Sequence, residues 1–143
     1  MLSEKWEGLR RIGSGSTRTV YEITSSDVPL EFYSWVEEDV VIKEAKRDSG
    51  YEANKLEYKV WEKNKFDFLC PVLDIINNGE FVIMSKANTN NVKDCQVENI
   101  LNKYGKIREI SVHSDIRMKN VGIYNDRPVL VDYPFLLKNY RLY

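Results

Sequence analysis

A chain of 143 residues, 43% hydrophobic and 30% charged, can bury a core of its own but cannot carry a second lobe of full size. Its 21 basic and 22 acidic side chains leave a net charge of -1, which excludes a global field able to recruit nucleic acid or an anionic membrane. The two cysteines, Cys70 and Cys95, lack CxxC or Cys/His spacing and imply neither a disulfide framework nor a zinc site, and no window approaches the ~20 apolar residues of a membrane span.

The opening stretch MLSEKWEGLRRIG has no apolar run behind its positive charges, so no secretory leader is expected and a cytoplasmic location is. Strands are predicted at Trp6 to Ile12, Thr19 to Thr24 and Val40 to Ala45, the last beginning with the β-branched run Val-Val-Ile. The stretch from Ser25 to Asp39 is longer than a tight hairpin needs and carries Pro29 with Phe32, Tyr33 and Trp35. From Tyr51 to Lys63 the period becomes helical, with Ala53, Leu56, Val60 and Trp61 expected to face the core. Ser49 or Gly50 is placed to start this helix and Asn64 to end it. Pro71 to Ile76 and Glu80 to Met84 read as two strands turning at Asn77-Asn78-Gly79. Asp94 reads as the N-cap of a short helix with apolar positions Val97, Ile100, Leu101 and Tyr104, stopped by Gly105. Ile110 to Val112 leads into His-Ser-Asp-Ile-Arg-Met-Lys-Asn, and a hairpin of Gly122 to Tyr124 and Val129 to Val131 around Asn125-Asp126 delivers Asp132. No repeat, low-complexity tract or linker divides the chain, so the expectation is a single domain on an α+β plan.

Four segments carry residue types suited to phosphate chemistry. In Ile12 to Tyr21, Gly13 and Gly15 flank Ser14 and precede Ser16 between two predicted strands; glycines there let backbone N–H groups approach a phosphate with no Cβ in the way. Lys43 closes the run Val40-Val41-Ile42, and an ammonium partly enclosed opposite such a loop suits a triphosphate. It needs a carboxylate to hold it. The following helix offers Glu52, explained in the first turn by the helix dipole, and Glu57, which is preferred because it lies beside Leu56 and Val60. Asp115, Asn120 and Asp132 supply three hard oxygens within one hairpin's reach, enough for Mg²⁺ at Asn120 and Asp132 while Asp115 faces an attacking hydroxyl.

In order and spacing these segments resemble the protein kinase family, in a minimal, atypical or phage-type serine/threonine form: Gly13-x-Gly15 with Val20, Val40-Val41-Ile42-Lys43, Glu57, His113-Ser114-Asp115 with Asn120, and Asp132-Tyr133-Pro134. The resemblance covers about Trp6 to Pro134. It implies a kinase-like fold, with an antiparallel sheet and one main helix over residues 1–84 and a strongly reduced second lobe over residues 85–143. It implies ATP and Mg²⁺ as cofactors. Gly13, Ser14, Gly15, Ser16 and Val20 would cover the nucleotide, Lys43 paired with Glu57 would contact the α- and β-phosphates, and Asp115 would be the catalytic base. Asn120 and Asp132 would hold the metal, so ATP binding should depend on it. Met84 would be the gatekeeper, with Ser85 to Ala87 as the hinge that meets adenine, and His113 a packing residue.

The pattern also departs from the family. Arg18 stands at the third glycine of the loop, Ser114 replaces the arginine of His-Arg-Asp, and Pro134 replaces the glycine of Asp-Phe-Gly, which fixes φ near ~-65°. No activation loop or substrate-docking helices follow Asp132, so the expectation is a domain reduced to its ATP-handling core. Two functions follow: an ATP/Mg²⁺-dependent phosphotransferase acting on a protein hydroxyl, or a noncatalytic kinase-like module that binds nucleotide or a regulatory partner protein, as a homodimer if apolar surface is left open.

Overall fold

The computed structural model describes residues 9–23, 39–108 and 120–134, with the backbone alone for 104–108. Asp115, His113 and Ser114 lie outside them, as do the first part of the strand expected from Trp6 and the segment Ile110 to Val112.

Five strands, β1 (Arg10–Ser14), β2 (Arg18–Ile23), β3 (Val40–Ala45), β4 (Val72–Ile76) and β5 (Phe81–Ser85), form one antiparallel sheet in the order β1-β2-β3-β5-β4. Because β3 is central, its alternation decides both faces. Val40 and Ile42 join Tyr21, Ile23, Phe81 and Ile83 in one apolar cluster. Val41 packs on the opposite side, where Val82 and Met84 meet Val60 of the main helix, Ile100 of the second and Val121, Val129 and Leu130 of the terminal hairpin. Each fully buried aliphatic side chain contributes about 1.5–3 kcal/mol.

Helix α1 (Asp48–Asn64) begins three residues before the position expected from periodicity and takes Gly50 inside it. Gly50 is there for contact: a Cβ would stand 2.2 Å from the Thr17 carbonyl oxygen and 2.9 Å from the Ala45 Cα. The face that α1 buries is also not the expected one. Gly50, Asn54, Glu57 and Val60 are buried, whereas Ala53, Leu56 and Trp61 are half-buried. The stripe has rotated by about one residue because two polar side chains, not apolar ones, are wanted inside.

The turn between β4 and β5 puts Asn77, Asn78 and Gly79 in succession at φ 50, 57 and 102, the left-handed region where Asn and Gly are favoured. Helix α2 (Asp94–Arg108) takes Asp94 in its first turn and runs through Gly105 instead of stopping there. One glycine costs a helix only about 1 kcal/mol, and Ile100 anchors α2 in the core. Strands β6 (Val121–Tyr124) and β7 (Arg127–Leu130) make a separate hairpin around Asn125 and Asp126, both at positive φ as a two-residue turn of type I′ requires. It is docked by paired backbone bonds between Asn88 and Ile123, and by Cys70 N–H donating to the Leu130 carbonyl. No helix among the described residues is long and apolar enough to cross a membrane.

Candidate functional site

A cleft of about 1080 Å³ lies between the β1–β3 strands and the β6–β7 hairpin, with Gly15, Val20, Lys43, Met84, Ala87, Asn120 and Asp132 among its walls. Val20 faces Lys43 across the β2–β3 register, and Val41 faces Met84 across β3–β5, so one sheet face presents an apolar floor ending in an ammonium. Ile12, 47% exposed at the mouth, and Ile123 from the hairpin add apolar surface that the sequence motifs did not single out.

At the inner end the charges meet. Lys43 Nζ donates to Glu57 Oε1 at 2.8 Å and to the Val131 carbonyl at 2.5 Å. Lys43 is 4% exposed and Glu57 is completely buried, whereas Glu52 is exposed on the outside of α1. The other oxygen of Glu57 accepts the Tyr133 backbone N–H at 2.8 Å, so one carboxylate fixes both the strand lysine and the segment that carries Asp132. Tyr133 is itself fully buried, its hydroxyl donating to the Cys70 carbonyl at 2.6 Å, which locks this segment against the core.

Arg18 is the residue that sequence reasoning missed. It stands where the expected loop would have a third glycine, and its side chain reaches the same carboxylate. Its guanidinium donates to Glu57 Oε1 at 2.8 Å, to Asn54 Oδ1 at 3.0 Å and to Asp132 Oδ1 at 2.8 Å. Asn54 is fully buried and turns its amide oxygen to Arg18 because its NH₂ is committed to the carbonyls of Lys43 and Gly79. Burial works against the Arg18 charge, and Glu57 and Asp132 outweigh it, raising its pKa above the ordinary value. Burial likewise pushes the Glu57 carboxyl up, but Arg18 and Lys43 together hold it below the usual carboxylate value. The result is a cluster of two cations and two carboxylates.

The β1–β2 loop is open above it. A Cβ added at Gly13 or Gly15 would meet nothing within 4 Å, and Ser14, Gly15 and Ser16 are exposed. Lys46 tethers the loop by donating to Ser14 Oγ and, at 2.6 Å, to the Gly15 carbonyl. At the other end Met84 and Ser85 are buried. The Ser85 N–H is taken by the Pro71 carbonyl and the Lys86 N–H by the Asp39 carbonyl, so among the described residues Ala87 is the hinge donor with no backbone acceptor. The hairpin closes on this hinge, since a Cβ at Gly122 would lie 2.8 Å from the Ala87 Cβ. Among the described residues no three His, Cys, Asp or Glu side chains gather as a metal site. Asn120 and Asp132 line the same cleft and offer two hard oxygens, a donor set that suits Mg²⁺ when phosphate and water complete it.

A five-stranded antiparallel sheet with a helix carrying the lysine's carboxylate is compatible with the smaller lobe of a kinase-like fold. Among solved structures the chain is similar in fold to PpkA-294 in its apo form, with a TM-score of 0.55 and 18% identity over 86% of this chain and 56% of that one. It thus spans a little over half the length of that protein. No protein-family model matches the sequence, and no curated protein matches it.

Proposed function

We propose that the cleft binds ATP and that the chain is a reduced protein-kinase-like phosphotransferase acting on a protein hydroxyl. The observation that carries this is the buried Lys43–Glu57 pair at the closed end of an apolar cleft whose other wall bears Asn120 and Asp132. A buried lysine held by a buried carboxylate is expensive to keep unless its charge is used. The likeness in fold to PpkA-294 supports the same reading at the level of the fold alone. Adenine would lie between Val20 and Val41 on the sheet and Ile123 on the hairpin, meeting the backbone at Ala87. The phosphates would run under the Gly13 to Ser16 loop toward Lys43. Asn120 and Asp132 would hold Mg²⁺, which when bound would neutralise charge on the transferring phosphoryl group. Asp115 would accept the proton of the acceptor hydroxyl, and Pro134 with the buried Tyr133 would keep Asp132 from swinging away.

The noncatalytic module remains the second reading, and the Arg18–Asp132 ion pair favours it by engaging the carboxylate that the metal would use. Phosphate transfer separates the two. In the phosphotransferase reading Asp115→Asn leaves ATP affinity within about threefold of wild type and removes most radiolabel transfer, because a base acts on the chemical step. Wild-type protein that binds ATP but labels neither itself nor added proteins is the module instead.

A further inference from the structure

Resting on the reading of the cleft as a nucleotide site, we propose that Arg18 is the cleft's own counter-cation, so that ATP and other nucleoside polyphosphates bind without a divalent metal. Metal is then needed for transfer and not for binding. This departs from the dependence expected from the sequence motifs alone.

A cleft that offers Lys43, Glu57 and Asp132 to a polyphosphate offers one positive charge and two negative ones. A bound cation must then reverse the local sign before phosphate can enter. Arg18 changes that balance, because its guanidinium sits between the two carboxylates and neutralises the cluster with no ion added. It is a built feature. The side chain is 8% exposed, three acceptors hold it, and the buried Asn54 that provides one of them is fixed by the carbonyls of β3 and the β4–β5 turn.

The guanidinium also retains capacity. It carries five N–H groups, of which three bonds to protein are described, and the residue lines the cleft. Asp132 is the adjustable partner: its side chain is 48% exposed, whereas Glu57 is completely buried. An entering phosphate competes with Asp132 for the outer edge of the guanidinium while Glu57 and Asn54 hold the inner edge. A divalent ion approaching Asp132 meets a fixed positive charge 2.8 Å from Oδ1, which reduces what the ion adds to nucleotide affinity.

Calorimetric titration of the full chain with ATP, once in EDTA and once in excess Mg²⁺, tests this. The two dissociation constants are expected to agree within about threefold. Arg18→Gln is expected to weaken binding in EDTA by about tenfold or more, with Mg²⁺ restoring most of the loss. Asp132→Asn is expected to tighten binding in EDTA, since it removes the competitor for the guanidinium. Should Arg18→Gln fail to fold, by circular dichroism, the wild-type pair of titrations and Asp132→Asn still decide. Wild-type binding that weakens more than about tenfold in EDTA, or Asp132→Asn weakening the metal-free complex, overturns the role of Arg18 and leaves the nucleotide site standing. Absence of ATP binding under both conditions overturns the nucleotide site itself.

Discussion

Ile42 and Lys43 are neighbours on β3 and both are buried, yet they face opposite sides of one sheet. On the side of Ile42 the neighbours are Tyr21, Ile23, Phe81 and Ile83, an apolar cluster whose one polar group, the Tyr21 hydroxyl, donates outward to Glu44. On the side of Lys43 the apolar packing of Val41, Val82 and Met84 gives way to four charges and a buried amide held by hydrogen bonds, three of which Glu57 accepts. The first face tolerates exchange of one apolar side chain for another of similar volume. The second does not, because removing one member strands its partner's charge away from water. A fold could pack both faces with aliphatic residues, so the charged cluster is the part of this sheet that the proposed phosphate chemistry would account for.

The largest expected effect comes from breaking the charged face at its centre. Glu57→Gln leaves Lys43 and Arg18 without their shared carboxylate and should cost about 3–5 kcal/mol in urea unfolding. Glu52→Gln, on the exposed side of the same helix, should change stability by less than about 0.5 kcal/mol. In a transfer assay Glu57→Gln should likewise lose more activity than Glu52→Gln, and the reverse order would move the lysine's partner to Glu52. The charged face should also be the acid-sensitive one. Glu57 titrates below its ordinary value of 4.5 in the folded chain, so its stabilisation is complete above that pH and is lost as pH falls through the folded value. Wild-type stability should therefore drop below about pH 4.5, and Glu57→Gln should flatten the drop. Glu22, held down by its hydrogen bond from Lys86, adds to the fall in both proteins.

Next in size is the apolar face. Ile42→Ala should cost about 2–4 kcal/mol through lost transfer free energy and the cavity left behind. Its loss should be the same at pH 4 and pH 7, parallel to wild type, since no titrating group of the Glu57 cluster is touched. A pH-dependent penalty for Ile42→Ala would mean that the two faces are coupled through β3.

How much of this contrast was legible in the sequence follows from the same physics. The β-branched run Val40-Val41-Ile42 marks β3, whose bounds are Val40 to Ala45 as expected, and Asn-Gly and Asn-Asp pairs mark both turns. Lys43, Glu57 and Asp132 were legible because each ends or lines a patterned element. The phase of α1 was not, since periodicity counts apolar residues and this helix buries Gly50, Asn54 and Glu57. Arg18 was illegible for another reason. Its partners lie 36, 39 and 114 residues away, and nothing local distinguishes it from an exposed strand arginine. Asp115, the residue on which transfer would turn, lies outside the described residues, so only its place in the sequence motif supports its role.

The smallest effect concerns the glycines, where sequence and space disagree about which one is structurally required. Gly13 and Gly15 stand out in the sequence, yet a Cβ at either meets nothing within 4 Å; Gly50 looks like an ordinary helix start, yet a Cβ there strikes the Thr17 carbonyl oxygen at 2.2 Å. Gly50→Ala must therefore push the β1–β2 loop away from α1 and should cost about 1–3 kcal/mol. Gly15→Ala should leave stability unchanged or raise it by up to about 1 kcal/mol, because alanine narrows the unfolded ensemble without a folded-state clash. The cost of Gly15→Ala belongs to the ligand. If phosphates lie against this loop, its added methyl stands where they approach, and ATP affinity should fall while the melting temperature without ATP does not. Unchanged affinity in Gly15→Ala would place the phosphates elsewhere in the cleft, nearer Lys43 and Arg18, and would reduce the glycine loop to a connection tethered by Lys46.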